Sequence, residues 1–171
     1  RNAFAAGVPS ELGGGGASHG ELCRMIRTLA KHCGSTGLAF SMHTHQVAIN
    51  AWRLKHQKAP VTPLLEKVAR DRVLILSTGG GDWLDSSGDA VPAEGGFRVT
   101  ARKPFSSGSP AGNILSTSAV VKDKGEVIHF GIPMSTQGIS IKPTWRTMGM
   151  RNTASNDVVL EHVFVPEAAV A

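Results

Sequence analysis

The sequence predicts an α+β protein: helices in the N-terminal part, followed by strands that close into an antiparallel β-barrel or sandwich. Three observations carry this reading. A capped amphipathic segment begins at Ser18, the hydrophobic period changes near residue 72 from helical to short β-branched runs, and strands and helices do not alternate as a doubly wound parallel sheet requires. A chain of 171 residues with 41% apolar content is long enough for one large domain or two small ones.

The helical part reads as three segments. Ser18 followed by Glu21 is a capping box, in which the serine oxygen takes an orphan amide and the glutamate returns to the cap amide. Leu22, Met25, Ile26, Leu29, Ala30 and Cys33 then recur on one helical face, with Gly34 expected as the left-handed stop. From Thr36 to about Leu54, apolar residues point in most directions, the pattern of a helix surrounded by protein. Thr62 as cap, with Pro63 at the first helical position, opens a third helix running to about Arg70.

Strands are expected over Arg72 to Thr78, Phe97 to Lys103, Asn113 to Val121, Val127 to Met134, Ile139 to Thr144 and Val158 to Val165. Asp123, Lys124 and Gly125 have hairpin chemistry, and Glu94, Gly95 and Gly96 introduce the strand at Phe97. Gly13 to Gly16 read as a flexible turn before the capped helix.

Composition excludes several functions. The formal charge is +5, yet no run of basic residues interleaved with aromatics marks a nucleic-acid partner. Cys23 and Cys33 fall in one predicted helix, where a ~1.5 Å rise per residue separates them by about 15 Å, too far for a disulfide. Reduced thiols and the lack of a visible signal peptide point to a cytoplasmic protein. The longest apolar stretch, Leu38 to Leu54, is broken by His43, His45, Gln46 and Asn50, so no membrane span is expected. His43 and His45 lack a third ligand at metal spacing, so no metal site is expected. One of these histidines is expected to be hydrogen-bonded in the interior and the other to face solvent, with His43 the candidate for a substrate pocket. Asp82, Asp85 and Asp89 read as solvated turn aspartates, and His129 as a structural residue in mid-strand. The strand end in "VLILSTGGGDW" offers Ser77 and Thr78 hydroxyls at a plausible ligand edge.

Taken in order, "GVPSELGGGG", "STGLAFSMHTHQ", "VLILSTGGGDW", "RVTARKPFSSGSPAGNILSTSA" and "TQGISIKPTWRTMGMRNTASNDVVLEHVFVP" resemble the acyl-CoA dehydrogenase superfamily over nearly the whole chain. The resemblance implies a partial N-terminal helical domain at residues 1–71 and the flavin-covering middle β-domain at 72–171. It also implies that the C-terminal helical domain, with its catalytic base, lies outside the chain, so no catalytic residue is named and the fragment alone is expected to be inactive. By position, Leu76, Ser77 and Thr78 are implied to line the flavin. Lys103, Phe105, Ser106 and Ser107 match a family element that places Phe105 beside the ring system and offers the Ser107 hydroxyl near its reactive edge.

The implied reaction is α,β-dehydrogenation of an acyl-CoA thioester in fatty acid metabolism, with FAD as cofactor and FMN as the alternative. "STGGGDW" stands where the family usually has "TEP.AGSD". That departure is shared by relatives resembling the dibenzothiophene and aromatic-hydroxylating monooxygenases, which use reduced flavin to activate oxygen; a monooxygenase is therefore the second reading. A non-enzymatic β-domain that lost its flavin is the third. Implied partners are acyl-CoA or a related small molecule, an electron acceptor or flavin reductase, and further copies of the chain in a dimer or tetramer.

Overall fold

A computed structural model describes residues 2–171 and confirms the α+β class. The chain divides into two compact units, one ending at Ile75 and one running from Leu76 to Ala171. Among the described residues, no helix is long and apolar enough to cross a membrane.

The first unit contains three helices, α1 (His19–His32), α2 (Gly34–Gln57) and α3 (Thr62–Asp71). The capping box forms as expected: the Glu21 amide donates to Ser18 Oγ, and Ser18 N–H donates to the Glu21 carboxylate at 2.8 Å. Gly34 is not a left-handed stop. The break between α1 and α2 is carried by Cys33 in an extended conformation (φ −151°), and Gly34 opens α2. A residue with one methyl more than Gly37 would meet Ala30 at 2.7 Å, so small residues let the two helices approach closely. α3 starts one residue earlier than expected at its cap: Val61 occupies that position without a side-chain bond, and Thr62 is already helical.

The central helix is less enclosed than its pattern predicts. α2 buries Phe40 and Val47, whereas Leu38, Ile49 and Trp52 stay exposed, because α1, α3 and the N-terminal turn (Ala3–Ala5) cover only part of its circumference. Val47 joins Ala5, Val8, Leu65, Val68 and Ile75 in the apolar core of this unit. The glycine loop folds back tightly. The amides of Gly14, Gly15 and Gly16 donate to the carbonyls of Pro9, Ala5 and Val8, leaving none of the three to cradle a phosphate.

The second unit is a curled seven-stranded sheet: β1 (Ile75–Ser77), β2 (Asp89–Ala93), β3 (Gly96–Ser106), β4 (Ile114–Val121), β5 (Val127–Pro133), β6 (Ile139–Lys142) and β7 (Asn156–Pro166), with a short helix α4 (Gly80–Leu84) after β1. Strand order is β1-β4-β2-β3-β7-β6, with β5 paired to β4. β1 starts later than expected because Arg72 ends α3 in a left-handed conformation. β2 is not among the expected strands; it pairs with β3 across Glu94 and Gly95, which form a hairpin turn. Most pairs are antiparallel, but β2 runs parallel to β4. The sheet core gathers Val99, Ala101, Leu115, Ala119, Phe130, Ile132, Val158, Leu160, Val163 and Val165.

Candidate functional site

The site-forming feature is an interruption of strand alternation in β3. Val99, Ala101 and Lys103 point inward at period 2, which would turn residue 105 inward as well. A register shift against β7 intervenes between Lys103, paired with Val158, and Ser106, paired with Asn156. Phe105 takes φ +58°, a conformation costly for an aromatic residue, and its ring is turned outward at 58% exposure while Ser106 becomes buried.

The strand-end loop and the Phe105 segment converge. An added methyl at Gly79 would sit 3.2 Å from Phe105 Cβ, tighter than an ordinary contact, whereas positions 80 and 81 face open space. Trp145 meets the Phe105 ring edge-on, with centroids 6.0 Å apart and an interplanar angle of 87°. Trp145 is itself held at both ends, its indole N–H donating to the Met150 carbonyl (3.1 Å) and its amide to Asn156 Oδ1 (3.1 Å).

The hydroxyls expected at this edge are largely committed within the chain. Ser77 Oγ donates to the Thr78 carbonyl and accepts from Trp83 Nε1, and Thr78 Oγ1 donates to Asp82 at 2.7 Å. Leu76 is buried in the sheet core and fills the space beside Gly112. Ser106 Oγ donates to the Lys103 carbonyl. Ser107 ends a chain of hydroxyls: Thr153 donates to the Met150 carbonyl, so Ser155 must donate to Thr153 and Ser107 to Ser155. Ser107 therefore presents lone pairs; its proton points into the protein.

His43 has no ring nitrogen left for a substrate. Nδ1 accepts from the Ile75 amide (3.0 Å), which leaves Nε2–H to donate to the Phe4 carbonyl (3.0 Å). Burial pushes its pKa below the ordinary histidine value and keeps the ring neutral. Neither histidine faces solvent fully, against the expectation that one would: His45 is half-buried, its Nδ1 donating to the Ser41 carbonyl and its Nε2 accepting from Gln46. His45 lines a largely apolar cavity of about 450 Å³ between α1 and α2, together with Cys23, Ile26, Thr44, Ile49 and Trp52.

Two residues carry weight that sequence reasoning missed. Asp82 is not a solvated turn aspartate; α4 delivers it to the interior, where it pairs with the fully buried Lys103 at 2.5 Å. Thr78, Thr117, Ser118, the Ser87 amide and the Ser87 hydroxyl also donate to its carboxylate. Burial alone would raise the Asp82 carboxyl, but the bonds from Lys103, Thr78 and Ser87 and the ammonium charge outweigh it and hold the group below the usual carboxylate range. Burial lowers the Lys103 ammonium from its ordinary value, and Asp82 partly offsets that. The only available signal was parity: Lys103 continues the inward series of Val99 and Ala101. His129 stacks on Trp83 with centroids 4.9 Å apart.

Residues 1–67 match the family described as acyl-CoA dehydrogenase, N-terminal domain. This match supports the acyl-CoA dehydrogenase superfamily that the sequence resembles. The chain is 30% identical over 167 residues to a dibenzothiophene monooxygenase of Mycolicibacterium goodii, covering 92% of this chain and 40% of the relative. The solved methanesulfinate monooxygenase MsuC of Pseudomonas fluorescens superposes with a TM-score of 0.88 at 26% identity, over 99% of this chain and 43% of the other. XiaF from a Streptomyces species, solved with FADH2 and glycerol, superposes with a TM-score of 0.78 at 25% identity, over 98% and 40% of the two chains. The chain thus spans less than half the length of these three proteins.

Proposed function

We propose that the chain supplies one wall of the flavin site in a flavin-dependent oxidoreductase, and that the reaction is oxygen transfer from reduced flavin and molecular oxygen to a small organic substrate. The observation that carries this reading is the convergence of Gly79 with the outward-turned Phe105. A glycine backbone beside an exposed aromatic face fits a planar tricyclic ring, because neither side presents a protruding aliphatic branch.

Bound reduced flavin, as FAD or FMN, would supply the electrons and the oxygen-transferring chemistry. Phe105 and Trp145 exclude water from one side of that ring. Ser107, with lone pairs outward, accepts a hydrogen bond from the cofactor edge. Leu76, Ser77, Thr78 and Ser106 act behind the wall, anchoring the strand end and the bulge through buried contacts. The apolar cavity beside His45 suits a small uncharged organic group. A flavin reductase and further copies of the chain are the partners this reading calls for.

Oxygen transfer is favoured over the initially expected dehydrogenation by the two monooxygenases among the relatives and by "STGGGDW" in place of the usual family element. The FADH2 complex of XiaF supports the cofactor class. Acyl-CoA dehydrogenation is the second reading, favoured by the description of the matched N-terminal family. In the full-length protein, titration with FMN and FAD should quench flavin fluorescence. Mixing the chemically reduced complex with labelled oxygen should put the label into a thioether, amine or aromatic probe. Anaerobic bleaching of oxidised bound flavin by an acyl-CoA would reverse the order of the two readings, and failure to bind either flavin would remove both.

A further inference from the structure

Lys103 is fully buried, although a sheet interior that needed only stability would hold an apolar residue there, as it does at Val99 and Ala101. Replacing a buried ion pair by packed apolar groups is commonly neutral or stabilising, so its presence calls for another reason. The pair lies between the two halves of the wall. Lys103 stands two residues before Phe105 on β3, and its ammonium donates to Asp82 and to the Ser87 carbonyl, both at 2.5 Å. Asp82 in turn holds Thr78 at 2.7 Å, immediately before Gly79, and Thr117 of β4 at 3.1 Å. One carboxylate thus ties the end of β1, the strand behind it and the strand that carries Phe105.

The structure assigns to Asp82 and Lys103 the role of positioning residues: their buried pair fixes Gly79 against Phe105 and so shapes the wall on which the flavin ring rests. This rests on the flavin reading above. Fixing Lys103 inward fixes the register before the bulge, and the bulge then turns Phe105 outward. The positive φ of Phe105 persists only because its surroundings over-determine it, and the pair is the strongest polar constraint two residues away. Ser87 and Ser118 complete the group of donors around Asp82, so the carboxylate is fixed in rotation as well as in place.

The test is the double variant Lys103→Met/Asp82→Asn in the full-length protein, which removes both charges together. Three quantities are compared with wild type: the melting temperature, the FMN and FAD dissociation constants with the bound-flavin absorbance, and hydrogen exchange of the amides at residues 79–82 and 105–108. We expect a folded variant that binds flavin about tenfold more weakly, in the range of coupling between contacting residues. Its absorbance fine structure should be lost, and exchange should rise in those two segments while β4 and β5 keep their protection. A folded variant with wild-type affinity and unchanged exchange in both segments would overturn the assignment. If the double variant does not fold, Thr117→Val, an isosteric loss of one donor to Asp82, carries the test at about threefold, and no change there overturns it. If the wild type binds no flavin, the functional reading fails by itself, while the exchange comparison still decides the positioning role.

Discussion

At His43, the imidazole is a backbone clamp: one nitrogen accepts from Ile75 and the other donates to Phe4, so the fold binds only the neutral ring. Because its pKa is lowered in the folded state, the unfolded chain takes up a proton first on acidification. Stability of this unit is therefore complete above the unfolded histidine value of about 6.5 and declines as pH falls below it toward the folded value. His45 shares the direction, also through burial. His43→Gln, which keeps one donor and one acceptor, should flatten this dependence in urea titrations between neutral and mildly acidic pH without removing it. In the second unit, Lys103→Ala would leave the Asp82 carboxylate buried and unpaired, a loss of about 3–5 kcal/mol measurable by chemical denaturation. Asp82, held below the usual carboxylate range, adds stability above about pH 4 that is lost on further acidification.

Among the elements, α1 and β3 show two ways in which local sequence is honoured. The Ser18–Glu21 box needs only residues three apart, so it is legible in one dimension and forms as read; Ser18→Ala should cost about 1 kcal/mol, seen in the helical circular dichroism melt. The Phe105 bulge depends on how β3 meets β7 across the sheet, and period-2 counting along β3 alone places Phe105 on the wrong face. The loop after it is equally constrained: a methyl at Gly112 would overlap the Leu76 side chain at 2.1 Å. Gly112→Ala should thus displace Leu76 and destabilise by about 1–3 kcal/mol, with exchange rising first at β1.

On the scale of the whole molecule, each unit has its own apolar cluster, one around Val47, Leu65 and Val68, the other around Leu115, Leu160 and Val163. Leu65→Ala and Leu160→Ala each remove a fully buried side chain and should cost about 2–5 kcal/mol, close to the entire margin of an ordinary domain. Neither substitution touches the Gly79–Phe105 wall, so their effect on flavin affinity in folded protein should be slight. A large effect in titration would mean that the wall is less local than its contacts indicate.

The α+β class, the capping box, the hairpin at Asp123 to Gly125 and the superfamily resemblance were all readable from the chain itself, because each rests on residues close in sequence or on ordered local patterns. The roles of Asp82, Trp145 and His43 were decided by tertiary structure alone. Asp82 meets Lys103 across 21 residues, His43 meets Ile75 across 32, and Trp145 meets Phe105 from another strand connection. Whether a polar side chain is solvated or buried depends on what arrives from elsewhere to desolvate and satisfy it, and no local pattern carries that information.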